Sequence, residues 1–84
     1  MRVAIVDDDS SVRNALRRLL TTSDFVADVF ASGEEFLAAL PETAPDCVVA
    51  DLKMPEIGGL DLLRELANRT QKLPVIIMTA FDTP

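Results

Sequence analysis

Two groups of aspartates directly follow apolar runs of the chain, where carboxylates could bind a metal ion or accept a phosphoryl group. Residues 7–9, all aspartates, come after the apolar residues 3–6, and Asp51 comes after residues 47–50. Both runs lack polar alternation, which is typical of strands buried in a parallel sheet. Because ligands collect at the carboxyl ends of such strands, we expect these aspartates to converge at one rim.

Carboxylates crowded at one rim repel one another, so they hold protons at raised pKa values or bind a cation. Oxygen ligands alone suit Mg²⁺. Asp51, alone on its loop, could then act as a nucleophile toward a phosphoryl group. Thr79 follows the last apolar run and could donate its hydroxyl to a phosphoryl oxygen, and the small Ala80 would leave an approach open. A simpler role remains open for residues 7–9, since acids ahead of a helix stabilise its first turn by about 0.3–1 kcal/mol each; Asp9 could do only that.

Charge and composition exclude several other kinds of site. The net charge of −6, with scattered basic residues, argues against a nucleic-acid surface. With no histidine and a single cysteine, Cys47, the chain offers neither the usual zinc ligands nor an intrachain disulfide. There is no glycine-rich phosphate loop, and residues 7–9 lack the glycine and glutamate of a calcium loop. No apolar run has the length of a membrane span or the pattern of a secretory signal, so the cytoplasm is the expected location.

Four apolar runs predict strands, and the three segments between them predict helices. The runs are residues 2–6, 25–30, 47–50 and 73–78. Asp28 interrupts the second run, which favours an edge strand, whereas the other three are expected to be buried. The alternation indicates one small α/β domain, a doubly wound parallel sheet with right-handed crossovers and helices on both faces. We expect the strand order 2-1-3-4, which makes the first and third strands neighbours.

Each predicted helix has its own boundary signals and apolar face. The first is expected to be capped by Ser10 or Ser11, with the apolar stripe Val12, Ala15, Leu16, Leu19 and Leu20. The second begins with a capping box of Ser32 and Glu35, runs from Gly33 to about Leu40 and stops before Pro41. The third runs from about Leu60 to Asn68 and is expected to bury Leu62, Leu63 and Leu66.

Three motifs together resemble the receiver domain of two-component response regulators, a flavodoxin-like (CheY-like) fold. They are Val6-Asp7-Asp8-Asp9, the loop from Asp51 through Met54-Pro55 to Gly58-Gly59, and Met78-Thr79-Ala80. The loops are similar to those of the subfamily of FixJ and its relatives, which carry a helix-turn-helix DNA-binding output domain. The resemblance covers essentially the whole chain and implies a cytoplasmic phospho-accepting signalling module rather than an enzyme.

The resemblance implies roles for particular residues. Asp51 would be phosphorylated by a sensor histidine kinase. Asp8 would bind Mg²⁺ directly and Asp7 directly or through water, together with Asp51 and the backbone carbonyl of Lys53. Thr79 would be the switch hydroxyl that moves toward the aspartyl phosphate.

The sequence departs from the receiver pattern at its end. It stops at Pro84, before the fifth strand and its phosphate-binding lysine, and neither Lys53 nor Lys72 stands where that lysine would. Residues 1–84 are therefore expected to form the N-terminal part of a single receiver domain, whose output domain lies outside them. An open strand edge and exposed apolar surface then favour self-association or segment exchange.

Two other functions remain alternatives. A haloacid-dehalogenase-type phosphohydrolase would also use a nucleophilic aspartate such as Asp51, but it requires an aspartate two residues later, where this chain has Lys53. The chain could instead be an interaction fragment that works without phosphorylation. A Mg²⁺ titration separates this alternative from a receiver.

Overall fold

The computed structural model describes residues 1–52, 54, 56–69 and 73–78 of the chain. Strands and helices alternate along these residues. The strands are β1 (Arg2–Val6), β2 (Val26–Phe30), β3 (Cys47–Asp51) and β4 (Val75–Met78), and the helices are α1 (Ser10–Thr22), α2 (Gly33–Thr43) and α3 (Gly59–Ala67). The proposed site residues Lys53 and Thr79, with Ala80 beside the latter, lie outside the described residues.

The sheet is parallel throughout and has the order β2-β1-β3-β4, as the sequence predicts. The central strand β1 pairs with both β2 and β3, and Val6 lies opposite Phe30 on one side and Ala50 on the other. Asp7 and Asp51 directly follow the paired residues Val6 and Ala50. This alignment brings two acidic segments to the same end of neighbouring strands.

Right-handed crossovers place α1 on one face of this sheet and α2 with α3 on the other. On the second face, Ala4, Val6, Val48 and Ala50 form a core with four helix residues, which are Phe36, Leu40, Leu62 and Leu66. The ring of Phe30 packs edge-on against that of Phe36, with 5.5 Å between their centroids. On the first face α1 packs against β1 and β2.

The first face is only partly covered, and here two predictions from the sequence are wrong. Residues 3–6 of β1 are buried on both faces, each at most 4% exposed. In β3, however, Val48 and Ala50 are buried while Cys47 and Val49 are half-buried. In β4, Ile76 is 56% exposed. The reason is the position of α1, which packs mainly against β1 and β2 on that face.

The N-cap residue of helix α1 lies earlier in the chain than predicted. Its N-cap is Asp9, whose carboxylate accepts hydrogen bonds from the backbone N–H groups of Ser11 and Val12, so the prediction of a serine cap is wrong. The helix continues to Thr22, and none of its residues is fully buried. In the predicted stripe Val12, Leu16 and Leu20 are half-buried, but Ala15 and Leu19 are exposed.

Helix α2 starts as predicted and ends later. Ser32 Oγ accepts a hydrogen bond of 3.1 Å from the Glu35 backbone N–H, which confirms the N-terminal cap. The helix runs through Pro41 to Thr43 and ends at Ala44, which has a left-handed φ of 32°. The prediction of a stop before Pro41 rests on the general rule that proline lacks the backbone N–H and crowds the preceding turn, and α2 departs from that rule for its last three residues.

The remaining boundaries shift by a residue or two. Helix α3 covers Gly59–Ala67 and buries Leu62 and Leu66, whereas Leu63, expected in the core, is 42% exposed. Strands β2 and β4 begin after the predicted starts. Strand β2 is an edge strand, as Asp28 indicated. In the described part of the chain no helix is long and apolar enough to cross a membrane.

Candidate functional site

The structure brings together Asp7, Asp8 and Asp51, with one carboxylate oxygen of each within 4.8 Å of the others. Asp7 and Asp8 follow β1, and Asp51 is the last residue of β3. Because β1 and β3 are adjacent and parallel, their carboxyl ends lie at one rim. The strand order reverses direction at this point, which is where ligands bind in open α/β sheets.

Asp7 is the buried member of this aspartate cluster, at 4% exposure. Its backbone N–H donates to the carbonyl oxygen of Phe30 at 3.1 Å, which extends the pairing of β1 with β2 by one residue. Its Oδ1 accepts from the Asp9 N–H at 2.9 Å, and its carbonyl oxygen accepts from Arg13 Nη1 at 2.8 Å. Hydrogen bonds therefore hold both the backbone and the side chain of Asp7.

The pKa of Asp7 is raised above its ordinary value, chiefly because burial penalises the charged form. The hydrogen bond from the Asp9 N–H acts in the opposite direction, and repulsion from Asp51, Asp8 and Asp9 raises the pKa further. A bound cation would relieve both causes of the rise, because it compensates the buried charge and separates the repelling carboxylates. This perturbed carboxyl group is typical of functional sites.

Asp9 has a different role from the aspartates beside it. Its Oδ1 accepts from the Ser11 N–H at 2.8 Å and from the Val12 N–H at 3.4 Å, so it caps α1. It does not belong to the cluster of possible metal ligands found among the described residues. The expectation that Asp9 serves the helix is confirmed.

Strand β4 and the start of α3 hold the end of β3 in place. The Leu52 N–H donates to the Met78 carbonyl oxygen at 2.9 Å, and the Gly59 N–H donates to the Leu52 carbonyl oxygen at 3.1 Å. Gly59 also approaches so closely that a Cβ at this position would lie 2.7 Å from the carbonyl oxygen of Asp51. The second glycine of the loop thus lets α3 begin directly against the backbone of Asp51.

The aspartate cluster offers carboxylate oxygens and no nitrogen or sulfur ligand. Such a set suits Mg²⁺, which binds one or two carboxylates and completes its shell with water and substrate phosphate. The short distances between carboxylates and the raised pKa of Asp7 fit a cation of this kind. Asp51 is half-buried, so its position at the rim leaves the strand end partly open to solvent.

Two contacts, one of them at the aspartate cluster, were not anticipated from the sequence. Arg13 lies outside the apolar stripe predicted for α1, yet its guanidinium reaches back to the Asp7 carbonyl oxygen. The lean of helical side chains toward the N-terminus is the signal that could have indicated this contact. Glu34 and Glu56 form a side-chain hydrogen bond between α2 and the loop after β3. No local sequence pattern links these two glutamates.

The fold and the aspartate cluster define a receiver domain. The family model of the response regulator receiver domain matches residues 3–84, and the chain belongs to this family. Receiver domains are signalling domains of two-component systems that bind Mg²⁺ at an acidic cluster and interact with histidine kinases.

Named relatives place the match more closely. The chain is 46% identical over 78 residues to the DNA-binding transcriptional regulator NtrC of Salmonella typhimurium, a match that covers 93% of this chain and 17% of the relative. It is 36% identical over 83 residues to the response regulator MprA of Mycolicibacterium vanbaalenii, covering 99% of this chain and 36% of the relative. The chain therefore spans well under half the length of these relatives.

Solved structures agree with the family match. The structure of FixJ-N superposes with a TM-score of 0.86 and 38% identity, covering 93% of this chain and 62% of that one. A response regulator receiver protein from Burkholderia phymatum superposes with a TM-score of 0.81 and 45% identity, covering 96% of this chain and 66% of that one. The expected similarity to receivers such as that of FixJ is confirmed.

Proposed function

We propose that this chain is the phospho-accepting part of a response regulator and that Asp51 takes a phosphoryl group from a sensor histidine kinase. The observation that carries the proposal is the convergence of Asp7, Asp8 and Asp51 within 4.8 Å at the switch point of the sheet. The family match favours this function over the haloacid-dehalogenase-type phosphohydrolase.

Asp7, Asp8 and Asp51 would hold Mg²⁺, with the backbone carbonyl of Lys53 as a further ligand. When bound, the ion neutralises charge on the phosphoryl oxygens. The carboxylate of Asp51 must be ionised to attack phosphorus; the new O–P bond forms as the N–P bond to the kinase histidine breaks. The hydroxyl of Thr79 would then donate to a phosphoryl oxygen. The role of Lys53 follows from the resemblance alone, whereas that of Thr79 also follows from its position after the last apolar run of the sequence.

Labelling with radioactive acetyl phosphate and Mg²⁺ tests the assignment of Asp51. The parent chain should become labelled, and Asp51→Asn should lose the label because an amide is not a nucleophile toward phosphorus. Asp9→Asn is the matched control, since it removes a neighbouring negative charge while asparagine still caps the helix. Equal labelling of Asp51→Asn and the parent would show that another residue accepts the phosphoryl group.

The longer protein that contains this receiver would be a transcriptional regulator acting in the cytoplasm. This part of the proposal is supported by relatives named as a DNA-binding transcriptional regulator and a response regulator. Contact with DNA would come from an output domain, because the receiver itself carries a net charge of −6.

A second proposed property is self-association through the open apolar face, which we define as Leu19 of α1, Val49 of β3 and Ile76 of β4. Val49 and Ile76 lie opposite each other in the β3–β4 pairing, on the face that α1 covers only in part. Leu19 and Ile76 are 63% and 56% exposed. Exposed apolar surface of this kind marks interaction sites. It also supports the alternative of an interaction fragment, in which case the folded chain would lack affinity for Mg²⁺.

A further inference from the structure

Arg13 joins the first turn of α1 to the end of β1. Its Nη1 donates a hydrogen bond of 2.8 Å to the carbonyl oxygen of Asp7. Its backbone N–H donates one of 3.0 Å to the carbonyl oxygen of Asp9. A single residue therefore holds the carbonyl groups on both sides of Asp8.

We propose that Arg13 is a positioning residue that fixes the backbone around Asp8, so that the Asp8 carboxylate stays beside those of Asp7 and Asp51. This inference rests on the proposed function, in which these carboxylates hold Mg²⁺. Two other side-chain hydrogen bonds of the segment are made close to Asp8 within residues 7–12, whereas the guanidinium of Arg13 ties the segment to the body of α1. The Asp7 side chain accepts from the Asp9 N–H across Asp8, and the Asp9 side chain caps α1.

The geometry explains why an arginine at this position can reach the strand end. Arg13 lies four residues after the N-cap Asp9, so its backbone N–H makes the first full helical turn. Helical side chains lean toward the N-terminus, which directs the long guanidinium side chain back over the segment that precedes the helix. Arg13 is half-buried, whereas Arg17, one turn further along α1, is exposed.

Positioning and charge predict opposite effects when Arg13 is replaced. The guanidinium is a cation close to a cation site, so its removal should tighten Mg²⁺ binding if only its field matters. If Arg13 instead orders the ligands, its removal should weaken Mg²⁺ binding even though a repelling charge has been lost. The sign of the change in affinity therefore distinguishes the two roles.

The test compares Arg13→Met with Arg17→Met in the full chain, using MgCl₂ titration by calorimetry. Methionine keeps an unbranched apolar stem and removes the hydrogen-bond donor. Arg17→Met removes the same charge from the same helix but leaves the hydrogen bond of Arg13 to the Asp7 carbonyl oxygen in place. We expect Arg13→Met to bind Mg²⁺ about tenfold more weakly than the parent, as for residues that orient metal ligands. Arg17→Met should bind as tightly as the parent or more tightly. Arg13→Lys restores a donor and the charge and should recover part of the affinity.

A second measurement is independent of the metal. Amide hydrogen exchange at Asp9, recorded without Mg²⁺, should be faster in Arg13→Met than in Arg17→Met, since the Asp9 N–H is bonded to Asp7 within the segment that Arg13 ties down. Equal exchange in the two variants, or Mg²⁺ binding by Arg13→Met as tight as by Arg17→Met, overturns the role of Arg13. A parent chain that binds no Mg²⁺ would instead contradict the proposed function, and the exchange rates would still decide what Arg13 does.

Discussion

Asp7 is buried and lies close to other negative charges, and both features disfavour its charged form. Its position after a buried strand and next to a second acidic segment could be predicted from the sequence, because strand ends are marked by the end of an apolar run. Its hydrogen bond to Arg13 could not, because that contact depends on the direction of one long side chain. The sequence thus identifies the acidic residues of the site more readily than the residues that hold them in place.

We predict that Asp7→Asn stabilises the Mg²⁺-free chain at pH 7 by about 1 kcal/mol, a typical magnitude for one substitution. The pKa of Asp7 is raised by burial and by repulsion from Asp51, Asp8 and Asp9. Folding thus favours the protonated form. The stability gained from that proton is complete below the ordinary aspartate pKa of about 3.9 and is lost as pH rises through the raised pKa. Asparagine does not titrate, so Asp7→Asn does not lose this stability. The difference in free energy of unfolding between Asp7→Asn and the parent should therefore grow over the same pH range.

Urea unfolding of the two chains between pH 3 and pH 8 measures this difference. Glu65→Gln is the control, since it removes one negative charge from the exposed surface of α3 and should change the free energy of unfolding by less than about 0.5 kcal/mol. A destabilised Asp7→Asn chain at pH 7 would show that charge repulsion at the cluster is not what limits stability. In saturating Mg²⁺ the order should reverse, because only the parent gains binding energy, about 2.7 kcal/mol at one hundred times Kd.

Glu34 provides a second prediction at the scale of single residues. Its pKa is raised, first because its side chain is hydrogen-bonded to that of Glu56 and next because the two carboxylates repel each other. In Glu56→Gln the repulsion is lost, and we expect the pKa of Glu34 to fall toward its ordinary value. A pH titration of the Glu34 carboxyl carbon by NMR measures this, with Glu35→Gln as the neighbouring control. An unchanged Glu34 titration in Glu56→Gln would mean that the two side chains do not interact.

At the scale of elements, apolar spacing predicts which segments become helices and strands but does not fix their ends. Helix α2 passes through Pro41, and the N-cap of α1 is Asp9 rather than Ser10 because the Asp9 carboxylate accepts from two N–H groups of the first turn. Predictions of burial were wrong for residues that only a neighbouring helix or strand could cover. Leu63 has the spacing of a core residue, yet it is 42% exposed, whereas Leu62 and Leu66 of the same helix are buried.

The cap of α1 gives a direct test of this boundary. Asp9→Ala should lower the free energy of unfolding by about 1 kcal/mol, since it removes the acceptor for the Ser11 and Val12 N–H groups. Ser10→Ala should have little effect, because Ser10 is exposed and is the first residue inside the helix. Urea unfolding of both variants provides the comparison. If Ser10→Ala lost more unfolding free energy than Asp9→Ala, the N-cap would be the serine predicted from the sequence.

The start of α3 gives a second test, because it touches the backbone of Asp51. Gly59→Ala places a Cβ 2.7 Å from the Asp51 carbonyl oxygen and 3.1 Å from Ile77 Cδ1, so the helix must move away from the strand end. We expect a loss of about 1–3 kcal/mol in unfolding free energy despite the better helix propensity of alanine. Labelling by acetyl phosphate should also slow, as Asp51 shifts with its backbone. Normal stability would show that the contact relaxes without cost.

At the scale of the whole molecule, the order of the strands was predictable and the coverage of the sheet was not. Alternating strands and helices with right-handed crossovers leave few arrangements, and the observed order is the one expected. Which strand lies under a helix on each face depends on how far that helix reaches. Helix α1 covers β1 and β2, so apolar residues of β3 and β4 remain accessible beside it.

The open apolar face predicts a concentration-dependent particle mass. Size-exclusion chromatography with light scattering should show dimers or larger species, and Leu19→Lys or Ile76→Thr should raise the dissociation constant at least about tenfold, or 1.4 kcal/mol. Leu60→Lys is the control, since Leu60 is 58% exposed on α3, on the other side of the sheet. A parent chain that stays monomeric and compact at all concentrations contradicts self-association.

The central position of β1 also has a consequence for synthesis on the ribosome. This strand is made before both of its neighbours, and its pairing with β3 cannot be completed until residue 50 has emerged, about 44 residues after Val6. At about 5–20 residues per second, the strand that is most buried in the folded sheet waits roughly 2–9 seconds for that partner. A nascent chain of this kind is a natural client for chaperones that shield short apolar segments near the exit tunnel.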